Sequence, residues 1–233
     1  MYWKSRIILI EETLLSDGIK NLGKSSNVLR VVITLKPNRC FGITGTLYII
    51  LFVIMTNQKR ISLSSPDDAY RFLGELGAPG RLILHSQLVY EVAEKLAEQI
   101  SNLGVTINKP LVLLGATLHD AGKIRHPEEL EGSGNRHEEA GESLLVKYGI
   151  APDIARCCRT HGQWHTMNCS LEEYLIAISD TIWKGKRDSE LEKRIADIIT
   201  ERTGRDKWEI LIELDTLFES IAAEGSARLM RSQ

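Results

Sequence analysis

Residues 111–122, LVLLGATLHDAG, are apolar on almost every side of a helix and then end on an adjacent histidine and aspartate. A helix without a polar face has nothing to offer water, so other elements must enclose it. Asn108, Lys109 and Pro110 open it with a polar cap and an early proline, the residue types that suit a helix start. That one segment demands a bundle with a buried central helix, ending on two groups that are costly to bury.

The flanking sequence is helical as well. Ser65, Pro66, Asp67 and Asp68 form an N-terminal signature: cap, first-turn proline and acids facing the helix dipole. Leu84, Leu88, Val92, Leu96 and Ile100 recur at every fourth residue, Val89 and Ala93 widen the stripe, and Gly104 follows the end. Asn135, with Glu138 and Glu139 after it, predicts a capped helix that stops before Gly149. Pro152 and Asp153 start another, and Ser170 with Glu173 makes a capping box for a helix through Tyr174, Ile178 and Ile182. Asp188 and Asp206 open two more, over residues 190–203 and 207–223. Their Ile/Leu spacing suits either a cap on the domain or a homo-oligomer surface. Strand-like alternation is absent after residue 65, so the expected fold is an all-α helical bundle over residues 61–233.

Charge marks a seam before that bundle. Residues 1–60 carry nine Lys or Arg against three acids, whereas residues 61–233 carry 20 against 28 and hold all six histidines. Residues 1–60 are therefore read as a separate N-terminal extension, of a few strands (47–54 the best candidate) or disordered, with Met55 as an alternative start. The apolar run at 41–55 is shorter than the roughly 20 residues of a spanning helix, and about 40 residues precede it where a signal peptide has a short basic segment. Membrane association is disfavoured; a tether through this run is the minor alternative. Four cysteines, two of them adjacent at 157 and 158, make no disulfide framework and point to the cytoplasm. A net charge of −2 and a pI near 6.3 argue against coating nucleic acid.

The histidines stand at 85, 119, 126, 137, 161 and 165. His85 falls on the buried stripe of its helix, His119 and Asp120 end the apolar one, and Asp180 shares a face with Ile176. A carboxylate on a buried face is expensive unless paired or coordinated. One divalent cation would compensate all of these groups.

His85, the His119-Asp120 pair and Asp180, in these helical contexts, resemble the H…HD…D signature of the HD-domain metal-dependent phosphohydrolases, over roughly residues 70–200. With His137 and His161 the order becomes H…HD…H…H…D, which looks like the two-metal members and most of all the diadenosine tetraphosphate hydrolase branch. It is also similar to the HD-GYP cyclic-dinucleotide phosphodiesterases, whose GYP element this chain lacks. The resemblance implies an HD-domain bundle and hydrolysis of a small nucleotide, or of another phosphoester or phosphoanhydride, by a metal-activated water. Asp120 would be the catalytic carboxylate bridging two ions, with His85, His119 and Asp180 on one and His137 and His161 on the other. Iron, manganese or zinc suit such mixed ligands. Lys123, in the HDxxK position, would be a catalytic cation holding a substrate phosphate, and Arg81 a weaker candidate for that work. Long nucleic acid is disfavoured as substrate.

Plainer readings compete. His119, Asp120 and Asp180 could form a metal-free core network, Lys123 could complement a helix C-terminus, and the whole could be an idle, metal-stabilised interaction module. Cys158, His161, His165 and Cys169 could instead clip a structural zinc. His126 reads as surface, His165 as an even choice, Trp164 as a base-stacking or packing residue, and Glu128, Glu129 and Glu131 as a solvated loop or lid rim.

Overall fold

The computed structural model describes residues 61 and 63–232; the expectations for residues 1–60 lie outside them. The described chain runs α1 (Pro66–Glu75), α2 (Gly80–Asn102), α3 (Lys109–Leu118), two 3-10 turns (Ala121–Ile124 and Pro127–Leu130), α4 (Arg136–Lys147), α5 (Pro152–Gln163), α6 (Leu171–Ile182), α7 (Ser189–Thr203), α8 (Lys207–Ala223) and α9 (Gly225–Arg231). No strand occurs among the described residues, so this part is all-α, as its punctuation required. None of its helices is long and apolar enough to cross a membrane.

The caps explain the boundaries. Ser65 accepts from the Asp68 amide and Asn108 from the Leu111 amide, while Ser170 and Glu173 close a reciprocal box. Each satisfies donors that a helix start leaves free. Asn135 departs from expectation, since its side chain makes no capping bond. The carboxylate of Glu129 accepts instead from the amides of Arg136 and His137, at 3.2 and 3.0 Å.

Packing shows why α3 is apolar all round: it separates two hydrophobic clusters. Val112 and Ala116 face a larger core built from Leu88, Val92, Leu96 and Ile100 of α2, Leu175 and Ile178 of α6, Ile195 of α7 and Phe218 of α8. Leu114 and Leu118 face a smaller one with Phe72 and Leu73 of α1, Leu145 and Cys158. Each fully buried Leu or Ile contributes roughly 1.5–3 kcal/mol relative to exposure, so α3 is pinned from both sides. Its C-terminal end, with His119 and Asp120, therefore emerges at a fixed place between the cores. Farther out, Arg187 joins α7 to α8 through Glu192, Asp215 and Glu219, at 2.6, 2.7 and 2.9 Å.

Candidate metal centre

The six residues of the H…HD…H…H…D pattern converge at helix ends. His85 comes from the second turn of α2, His119 caps α3 with Asp120 next to it, His137 opens α4, and His161 and Asp180 lie in the last turns of α5 and α6. Helix α3 stops at Leu118, and Asp120 turns through φ −99°, ψ 11° into the first 3-10 turn, a bridge-region conformation. Gly122 lets that turn press on α4. A Cβ there would overlap the His137 carbonyl oxygen and come within 2.6 Å of the Gly141 nitrogen.

Asp120 is the centre of the arrangement, at 1% exposure. Its Oδ2 lies 3.2 Å from His85 Nε2, 3.5 Å from His119 Nε2 and 2.6 Å from Lys123 Nζ. Its Oδ1 lies 3.2 Å from His137 Nε2 and 3.7 Å from His161 Nε2, buried and without a hydrogen-bond partner among the described residues. Asp180 Oδ1 approaches His85 and His119 Nε2 at 3.1 and 3.4 Å. The Nε2 atoms of His85 and His119 are 3.3 Å apart, and those of His137 and His161 are 3.5 Å apart.

The opposite ring nitrogens explain these orientations. His119 Nδ1 lies 2.8 Å from the Ala116 carbonyl, His161 Nδ1 3.3 Å from that of Cys157, and His137 Nδ1 2.7 Å from Glu129 Oε2. Each acceptor takes the Nδ1–H and leaves an Nε2 lone pair facing Asp120, the tautomer that a metal ligand needs. Lone pairs and carboxylate oxygens turned toward one another repel unless a proton or cation lies between them. Ligands about 2.0–2.2 Å from one ion stand about 3–3.5 Å from each other, which is the spacing of both imidazole pairs. The donor set and the orphaned Asp120 Oδ1 thus fit divalent metal.

Without metal, protons partly fill that role. Burial opposes charge on His85, but Asp120 and Asp180 override it and push its pKa up to about 9. For His161, burial and then repulsion from His119 bring it down to about 4. Burial also works against ionising Asp120 and Asp180, yet the surrounding imidazoles, with Lys123 beside Asp120, hold both well below the usual carboxylate range.

A cavity of about 290 Å³ opens on the centre, lined among others by His85, Asp120, Asp180, Lys123 and Arg81. Lys123 is thus placed on Asp120, and Arg81 stands at the rim, 3.0 Å from exposed Glu131. Glu129, expected in a solvated run, is a correction. It is 5% exposed, and His137 Nδ1, the two α4 amides and Arg136 Nε surround it. Glu138, read from the sequence only as a first-turn acid, is another buried carboxylate, accepting from Gln163 Nε2 at 2.6 Å. The only warning of either was its place within two turns of a predicted ligand or its loop.

His165 and Trp164 fall outside the cluster. Helix α5 ends at Gln163; His165 is exposed with its ring against Trp164, which packs on Tyr174. The zinc clip does not assemble: Cys158 donates to the Leu118 carbonyl in the core, and no group of metal-ligating atoms among the described residues includes a cysteine. His126 is half-buried, 3.3 Å from exposed Glu128. The family model described as HD domain matches residues 82–199, which contain His85, His119, Asp120, His137, His161 and Asp180. No curated protein and no solved structure matches the chain.

Proposed function

The chain belongs to the HD-domain family, and on that premise we propose that it is a metal-dependent phosphohydrolase acting on a small nucleotide or another phosphoester or phosphoanhydride. The observation that carries this reading is the buried Asp120 carboxylate, each of whose oxygens faces a pair of imidazole Nε2 atoms. Asp120 with His85, His119 and Asp180 would hold one ion, and Asp120 with His137 and His161 a second. Iron, manganese or zinc suit these nitrogen and carboxylate donors better than magnesium or calcium. When bound, such a pair supplies a water of lowered pKa and a clamp on phosphoryl oxygens.

The protein's own groups prepare that chemistry. Glu129 fixes the His137 ring and keeps its Nε2 free for coordination. Lys123 brings a cation to the edge of Asp120, from which it can move to a substrate oxygen as the carboxylate takes up metal. Among the described residues Arg81 is held only by an exposed ion pair, worth little in water, so exchanging Glu131 for a phosphate costs it little. The size of the cavity favours a small substrate, and the acidic excess of residues 61–233 opposes a long polyanion. Buried free thiols at Cys157 and Cys158 agree with a reducing, cytoplasmic setting.

The test is metal content by mass spectrometry for the wild type and Asp120→Ala, with phosphate release followed over a set of nucleotides. Two ions per chain and phosphate release, both lost in the variant, are the expected result. One ion untouched by the substitution, with no phosphate released, would overturn the reading.

A further inference from the structure

At the end of α6, residues Trp183 and Lys184 form part of the cavity wall. Trp183 packs edge-on against the His85 ring at 5.1 Å, and Lys184 lies one helical turn beyond Asp180. Three lysine or arginine side chains line the cavity, and two are already matched: Lys123 with Asp120 at 2.6 Å and Arg81 with Glu131 at 3.0 Å. Lys184, exposed where it lines the cavity, makes no ion pair among the described residues, so an anion entering there meets an ammonium those residues leave unmatched.

A part of the chain beyond the family match fixes this turn. Arg228 of α9 is 3% exposed. Its Nε donates to the Trp183 carbonyl at 2.6 Å, its Nη2 to the Ile221 carbonyl, and its Nη1 meets Glu224 at 3.1 Å. A buried guanidinium is costly unless its donors are matched, and here they reach the Trp183 carbonyl at the end of α6 and the Ile221 carbonyl of α8, which also accepts from the Glu224 amide. Gly185 leaves α6 at φ +83°, and a Cβ on Gly225 would overlap its nitrogen and Cα. Arg231 then joins Glu91 of α2 at 2.6 and 3.0 Å, and Ser232 reaches the cavity lining.

We propose that Lys184 binds a second anionic group of the substrate, beyond the phosphoryl group held at the metal centre, and that Arg228 is the positioning residue for it. The inference rests on the phosphohydrolase reading and narrows the substrate class to compounds with a diphosphate, or another anion, beside the scissile phosphoryl. The geometry distinguishes these from phosphoesters whose remaining part is neutral, which leave Lys184 without a partner.

The test is calorimetric titration of the full-length, manganese-loaded protein with imidodiphosphate, which resists hydrolysis, and with inorganic phosphate. Manganese content is measured before and after. Lys184→Ala is expected to weaken imidodiphosphate about tenfold, the scale of one charge-assisted contact. Phosphate affinity and manganese content should stay at wild-type values. Lys184 is exposed, so this variant keeps the fold, and equal imidodiphosphate affinities would overturn the proposal. Arg228→Lys, which retains the charge but not the fork, should weaken imidodiphosphate in the same sense; a folded variant with wild-type affinity removes Arg228 from the argument. Should it melt out, Gly225→Ala displaces α9 with the guanidinium intact, and wild-type affinity there has the same meaning. A loaded wild type that binds neither anion overturns the phosphohydrolase reading itself, and this inference with it.

Discussion

Metal loading of this centre should release protons, and His85 sets the amount. Before metal binds, its imidazole lies 3.2 Å from Asp120 and 3.1 Å from Asp180 and titrates near 9. A metal ion needs the neutral ring. At pH 7, about two units below that value, removing the proton costs about 2.7 kcal/mol, or a hundredfold in apparent affinity. At pH 8 the penalty is about tenfold, and above pH 9 it disappears. Affinity for manganese should therefore rise about tenfold per pH unit from 7 to 8 and flatten near 9. His161, held near 4, is already neutral and adds nothing; His137, raised by Asp120 and Glu129 against its burial, adds in the same direction. The metal-free fold responds with opposite sign. His85 stabilises it fully below its ordinary pKa of 6.5, and that contribution is lost as pH rises through about 9. Calorimetry at pH 7 in buffers of different ionisation enthalpy measures the released protons directly. A dissociation constant that does not change between pH 7 and 9, or a binding heat independent of buffer, would refute the reasoning.

Two further outcomes follow from the neighbours of the ligands. Glu129→Ala removes the acceptor that orients His137 and leaves the α4 amides of residues 136 and 137 without it. Affinity at the His137–His161 side should fall roughly 10- to 100-fold while the His85–His119 side is retained, so a manganese titration should change from two steps to one; two undiminished steps would contradict the assignment. Gly122→Ala puts a methyl group into the His137 carbonyl. Overpacking against backbone costs about 1–3 kcal/mol or more, so thermal melting should shift down with manganese uptake impaired, and a wild-type melting curve would show that the turn does not press on α4.

Much of the fold was legible because helices announce themselves locally. The cap at Ser65, the box at Ser170 and Glu173, and the fourfold recurrence from Leu84 to Ile100 depend only on neighbours along the chain, and the helices formed where these signals stood. The apolar circumference of residues 111–118 likewise dictated burial, and the two clusters on either side of α3 meet that demand. The order of His85, His119, Asp120, His137, His161 and Asp180 gave the candidate ligands for a similar reason, since each sits at a helix end or on a buried stripe whose phase the sequence records.

Other features depended on contacts between distant segments. The acids at 128, 129 and 131 look alike in sequence, yet only Glu129 is drawn under α4, because the 3-10 turn brings it to the amides of Arg136 and His137. His161 and His165 are one turn apart on paper, but α5 stops between them and leaves only the first beside Asp120. Helix α9 carries no strong local signal, and Arg228 reads as one more surface arginine until Trp183, 45 residues away, supplies its acceptor. Local chemistry thus determined which residues are helical and which groups need compensation. The tertiary structure decided which groups meet, because burial and hydrogen-bond partners at helix ends are set by packing across the chain.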